Sequence, residues 1–264
     1  MKESLLFAHA NGIPGGSYAP IGARLQAAGY DWRAIDRIAH DPAFPPGSWH
    51  RQTDELLQMI ETSLQPPVHM IGHSMGAVLG FIAAWRRPKL FRSLIMLDPP
   101  LIMRTSGLLY ALASCLPRQE WRDRMTPAGR SRHRRRVWPD LAQARAYFAS
   151  KSLYAAFDAE CFAAFVDSAV AEGEDGAWHL RFHVDIEVEL FRHTPYDLDM
   201  YWRHLRVPGS LVRGTNSEVT RPSYAHALAH RHGLREYEQP GGHMFPLEDA
   251  EACAQLLLRL LPQP

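Results

Sequence analysis

The pentapeptide Gly72-His73-Ser74-Met75-Gly76 follows the apolar run Val68-His69-Met70-Ile71 and precedes the helical pattern Ala77-Val78-Leu79-Gly80-Phe81-Ile82. A serine at such a strand-to-helix junction is a candidate nucleophile, because a sharp turn lifts its hydroxyl clear of the backbone at the start of a helix. The turn strains the chain, and Gly72 and Gly76 lack the β-carbons that would collide with the neighbouring strand and helix. The free N–H groups of a helix start, beginning with Met75, are suited to stabilise the negative charge of an attacked carbonyl.

A serine hydroxyl needs a base with a pKa near the working pH, which points to histidine. Among 14 histidines, His243 is the best placed. Gly241-Gly242-His243 lies between the last expected strand and the last expected helix, at the carboxyl edge of the sheet where Ser74 also lies. A carboxylate must then fix the imidazole tautomer and stabilise the imidazolium. Glu218 is the preferred acid: it lies just past the strand Leu211-Val212-Arg213-Gly214 and gives the chain order nucleophile, acid, histidine. Asp98, at the end of the run Leu94-Ile95-Met96-Leu97-Asp98, is the alternative acid, its simpler role being to bond loop amides. A second oxyanion donor is expected from the loop His9-Ala10-Asn11-Gly12-Ile13-Pro14-Gly15-Gly16, through the N–H of Asn11 or Ile13. Alone this loop reads as a glycine-rich turn; its weight comes from the elbow expected on an adjacent strand.

The elements that must position these groups follow from the periodicity. Short apolar runs at residues 5–9, 31–37, 68–72, 93–98, 210–214 and 234–239 read as strands. Between them, residues 21–28, 49–64, 75–86, 223–230 and 247–261 carry apolar side chains at helical spacing. Alternation of this kind predicts an α/β fold, a mostly parallel sheet flanked by helices. Residues 1–100 and 207–264 are expected to form the core, and residues 101–206 an inserted, mainly helical lid with helices near 141–148 and 159–170. Within it, Trp178, Leu180, Phe182, Val184, Ile186 and Val188 alternate with polar residues like a strand, whereas 185–191 is rich in glutamate and also fits a helix. No internal repeat or low-complexity linker is present.

Composition narrows the function classes. The 264 residues are 46% hydrophobic, enough for a substantial core, and the net charge of +1 gives no pull toward nucleic acid or anionic membrane. Cys115, Cys161 and Cys253 are odd in number and lack metal-site spacing, which suits reduced thiols in the cytoplasm. No secretory leader is read at the N-terminus. The apolar stretches 75–85 and 107–116 are well short of a bilayer span. Seven residues, Arg130-Ser131-Arg132-His133-Arg134-Arg135-Arg136, could attract phosphate, but only three of the 29 basic residues are lysine, so arginine abounds throughout and a solvated or ion-paired lid helix is favoured. His226 and His230 sit four apart without a catalytic glutamate between them, and no glycine-rich phosphate loop occurs. The lid aromatics Trp121, Trp138, Tyr147, Phe148, Phe162 and Phe165 hint only weakly at an apolar pocket, since most fit a core. A small-molecule substrate, with no metal, no cofactor, no nucleic acid and no membrane partner, is the expectation; oligomeric state is not legible.

Taken together, Phe7-Ala8-His9-Ala10-Asn11-Gly12, the elbow, Arg213-Gly214 leading to Glu218, and Gly242-His243 resemble the α/β-hydrolase superfamily over essentially the whole chain. The stretch from Arg134-Arg135-Arg136 through Trp138-Pro139 to Tyr147-Phe148 is similar to a bacterial branch of lidded members with Ser-acid-His triads. The resemblance implies acyl transfer to water without a cofactor, by an esterase or thioesterase, with carbon–carbon hydrolysis of diketones as the nearest alternative. A non-catalytic, lidded binding protein is the alternative from another class. Two features depart from the pattern: glutamate stands at 218 where aspartate is expected, and the first strand arrives four residues into the chain, without the usual leading hairpin.

Overall fold

The structure, a computed structural model, describes residues 2–102, 123 and 126–261. The first half of the core runs β1 (Ser4–Ala8), α1 (Ala19–Ala27), β2 (Asp31–Ala34), α2 (Trp49–Ser63), β3 (Val68–His73), α3 (Met75–Arg86) and β4 (Phe91–Leu97). An insertion follows, with β5 (Val137–Trp138), α4 (Leu141–Ala149), α5 (Ala159–Ala169), β6 (Val170–Glu172), β7 (Trp178–Leu180) and α6 (Val184–Arg192). The chain then returns through β8 (Gly209–Gly214), α7 (Pro222–His232), β9 (Arg235–Gln239) and α8 (Ala250–Leu260). All six expected core strands and their intervening helices form, displaced by a few residues at their ends. Cys115, Trp121 and the apolar stretch 107–116 lie outside the described residues.

Six strands order as β2-β1-β3-β4-β8-β9, and every pairing among them is parallel. Both faces of a parallel sheet are covered by helices, which is why the inner strands are continuous apolar runs; every residue of β3 is buried. Helix α3 lies against β3 and β4 and is buried from Met75 to Ala84, consistent with its nearly all-apolar sequence. At the sheet's edge β9 reads Arg-Glu-Tyr-Glu-Gln with its charged residues exposed, and such charges discourage pairing with another chain. Side chains of Asp140, Asp158 and Asp249 cap α4, α5 and α8 by accepting from N–H groups three residues on.

The insertion closes on the core through aromatic packing. Trp138, Phe148 and Phe165 are fully buried and belong to the same apolar cluster as Phe7 and Ile71 of the sheet. Phe165 stacks on Tyr154 at 4.4 Å and meets Phe148 edge-on at 5.0 Å. The doubly readable stretch divides: Trp178–Leu180 pairs with β5 and β6 in a small antiparallel sheet, and a helix begins at Val184. The helical part wins because Val184 and Val188, one turn apart, bury together against Ala128, while Asp185 and Glu187 occupy the helix's first turn.

Phe165→Ala is expected to cost about 3 to 5 kcal/mol in urea unfolding. A loss below about 1 kcal/mol would show that the insertion's aromatics are not part of the cooperative core.

Candidate active site

Register explains why Ser74 and Asp98 share one rim of the sheet. His73 pairs with Leu97 across the β3–β4 ladder, and the next N–H, that of Ser74, donates to the Leu97 carbonyl at 2.9 Å. Both residues just past these strands hold left-handed backbones, Ser74 with φ 53° and Asp98 with φ 44°. An L-residue enters this region only where its surroundings fix it. At the elbow the glycines make that possible: a β-carbon on Gly76 would lie 2.1 Å from the Ala8 carbonyl oxygen, and one on Gly72 would lie 2.3 Å from the Gly76 carbonyl.

His243 sits in the loop beyond β9, where Gly241 takes φ 125°. Its Nε2 is 3.0 Å from Ser74 Oγ, and its Nδ1 is 2.6 Å from Asp98 Oδ2. A carboxylate only accepts, so Nδ1 carries the proton and the Nε2 lone pair faces the serine hydroxyl. Asp98 is completely buried, His243 is about a quarter exposed, and Ser74 is half-buried. The arrangement can take a proton from Ser74 and hold the resulting imidazolium.

The acid next to His243 is therefore Asp98, not Glu218, which corrects the preference drawn from the sequence. Past β8 the chain closes a tight turn, with Ser217 N–H donating to Gly214 O at 3.0 Å and Asn216 N–H to Gly241 O at 2.9 Å. That turn points Ser217 inward, where its hydroxyl donates to Asp98 Oδ2 at 2.5 Å, and leaves Glu218 exposed. Asp98 Oδ1 accepts the Gly214 N–H at 2.8 Å. The loop-amide role expected for Asp98 thus coexists with its bond to the histidine. Ser217 was missed; its only sequence signal is its place directly before Glu218.

Of the expected oxyanion donors, Ile13 is occupied: its N–H closes a turn onto Ala10 O at 3.1 Å. The N–H groups of Gly76 and Ala77 are also used, by His9 O and Ser74 O, whereas those of Met75 and Asn11 have no acceptor among the described residues. Asn11 is held by its side chain, whose Nδ2 donates to Glu187 O in α6 at 2.9 Å. Glu187 itself is buried against Gly12, where it accepts from Ser131 at 2.8 Å and Arg134 at 2.7 Å. The basic cluster is thus largely used within the insertion, Arg132 pairing with Asp123 and Arg136 with Asp185. His226 contacts Glu236, and no group of three or more metal-ligating side chains occurs among the described residues. Cys161 and Cys253 are buried free thiols, pushed up by burial. No helix among the described residues is long and apolar enough to cross a membrane.

A model of the alpha/beta hydrolase family matches residues 5–256. Among solved structures, E-2-(acetamidomethylene)succinate hydrolase superposes with a TM-score of 0.79 at 20% identity, over 98% of this chain and 91% of that one. The thioesterase domain from the curacin biosynthetic pathway gives 0.72 at 21% identity, over 98% and 91%. An N-formylmaleamic acid deformylase from Pseudomonas putida S16 gives 0.63 at 18% identity, over 97% and 92%. At these identities the likeness is one of fold. No curated protein matches in sequence.

The loop before Asn11 carries a pH-dependent element. His9 is buried; its Nε2 accepts the Ile38 N–H at 2.9 Å and its Nδ1 donates to Ala10 O at 2.8 Å. Burial lowers its pKa from 6.5 to about 4, so the unfolded chain binds this proton first as pH falls. Its contribution is fully present above pH 6.5 and is lost progressively down to about pH 4. Between pH 7 and pH 5, His9→Gln should therefore lose about 2 kcal/mol less unfolding free energy than wild type in urea titrations. Equal losses would show that His9 is not held neutral.

Proposed function

Because this chain belongs to the alpha/beta hydrolase family, we propose that it is a serine hydrolase cleaving a carboxylic ester or thioester of a small, apolar substrate. The observation that carries this reading is the continuous chain Ser74 Oγ, His243 Nε2, His243 Nδ1, Asp98 Oδ2, with steps of 3.0 and 2.6 Å. Ser74 Oγ attacks the carbonyl carbon while His243 Nε2 takes its proton. Asp98 stabilises the imidazolium, and the N–H groups of Met75 and Asn11 receive the developing oxyanion. His243 then returns the proton to the leaving alcohol or thiol, which departs as the acyl-enzyme forms. Water, deprotonated by the same base, attacks the acyl carbon and releases the acid and free Ser74. No metal or cofactor enters this scheme.

Residues 101–206 act as the lid. Three contacts support this by tying the insertion to the core: Asn11 in the loop after β1 with Glu187, Trp49 at the start of α2 with Leu190 at 2.8 Å, and Arg37 past β2 with Arg181 O at 2.6 Å. Phe182, Ile186 and Leu190, together with His9, Arg37, His40 and Glu187, line a small cleft beside Asn11, and neither Ser74 nor His243 borders it. Two structural relatives are named for an acetamido and an N-formyl compound. Acyl–nitrogen bonds therefore join esters, thioesters of graded chain length and diketones in the substrate panel.

A fluorophosphonate probe is expected to label the wild type and not Ser74→Ala; an unlabelled wild type would favour a binding protein over an enzyme. In ester kinetics, Asp98→Asn is expected to lower kcat by about 10³- to 10⁴-fold, through the wrong imidazole tautomer. Glu218→Gln should stay within about twofold of wild type. The reverse order would return the acid role to Glu218.

A further inference from the structure

His73, the residue before the nucleophile, is fully buried and takes no part in the proton transfers described above. Its Nε2 lies 2.9 Å from the backbone carbonyl oxygen of His243, and its Nδ1 lies 2.7 Å from the hydroxyl of Tyr18. A carbonyl only accepts, so Nε2 must be the protonated nitrogen and Nδ1 must be an acceptor, which makes the Tyr18 hydroxyl a donor. The Tyr18 oxygen is in turn approached by the Ala10 N–H at 3.4 Å. Every proton in the chain is thereby assigned: Ala10 N–H to Tyr18 O, Tyr18 O–H to His73 Nδ1, His73 Nε2–H to His243 O. Burial and the neighbouring His243 hold the His73 imidazole well below the usual histidine range, in keeping with an uncharged ring.

The ends of this chain are informative. Ala10 precedes Asn11, His73 precedes Ser74, and the acceptor is the main chain of His243 itself. The loop bearing His243 contains Gly241 in a left-handed conformation and has the freedom of a Gly-Gly pair. Its His243 carbonyl is held from the interior by His73, while the side chain is held from the other side by Asp98. We propose that His73 is a positioning residue: a neutral, singly protonated relay that ties the loop of Asn11 to the loop of His243 and keeps the base in line with Ser74 Oγ. This rests on the hydrolase reading, since it needs a base to position.

The test combines hydrolysis of p-nitrophenyl butyrate, fluorophosphonate labelling and histidine ¹⁵N NMR at neutral pH, on wild type, His73→Leu, His73→Gln and Tyr18→Phe. Wild-type His73 should show the Nε2–H tautomer. His73→Leu should lower kcat about 10- to 100-fold with KM within about threefold, the signature of a misplaced base. His73→Gln, whose amide can still donate to the His243 carbonyl, should recover most of that loss, and Tyr18→Phe should fall between. If His73→Leu fails to fold, the Gln and Tyr18→Phe variants and the wild-type tautomer decide. An Nδ1–H tautomer, an unaffected kcat, or a Gln variant no better than a folded Leu variant would overturn the role alone. A wild type inert to both ester and phosphonate would instead overturn the hydrolase reading, and the role with it.

Discussion

A carboxylate shut away from water is tolerated only where donors replace its hydration. Asp98 meets that condition with the Gly214 N–H, the Ser217 hydroxyl and the His243 ring. Two of these donors come from the turn that ends β8 and the third from the loop after β9, so one buried side chain at the end of β4 holds both segments at the rim of the sheet. Removing any of them leaves charge uncompensated in an interior where it is expensive. The local backbone is bent to serve this point, Ser74 and Asp98 both being held in conformations that L-residues avoid.

Much of this was legible in the sequence because it depends on local chemistry. The elbow announces itself through glycines flanking a serine between an apolar run and a helical pattern, and the glycine-rich loop before His243 does the same for the proposed base. The carboxylate bonded to it was harder to read. Chain order favours Glu218, but the choice between it and Asp98 depends on which side chain of a five-residue turn faces inward, and that is set by hydrogen bonds from Asn216 to Gly241 and from Ser217 to Gly214. Such individual turn and cross-loop contacts leave no periodic trace. For the same reason the Ile13 N–H looked available until its turn onto Ala10 closed, and the stretch after Trp178 remained double-faced until Val184 and Val188 found Ala128.

The insertion contributes to the site through the backbone as much as through side chains. Glu187 is buried with Arg134 and Ser131, yet its carbonyl anchors Asn11 and its carboxylate abuts Gly12, where a β-carbon would come within 2.6 Å of it. A glycine at that point lets helix α6 approach the loop closely. The arginine-rich stretch, which by composition alone suggests anion binding, instead serves largely to hold the insertion together.

The proposed hydrolysis requires Ser74, His243 and Asp98 to work as one unit with the Met75 and Asn11 amides at its mouth. A crystal structure of the protein after fluorophosphonate treatment tests this most directly. Phosphorus bonded to Ser74 Oγ, its oxygen facing the Met75 and Asn11 N–H groups, and His243 still bridging to Asp98 is the expected result. Phosphorus on another residue, or an oxygen turned away from both amides, would contradict it.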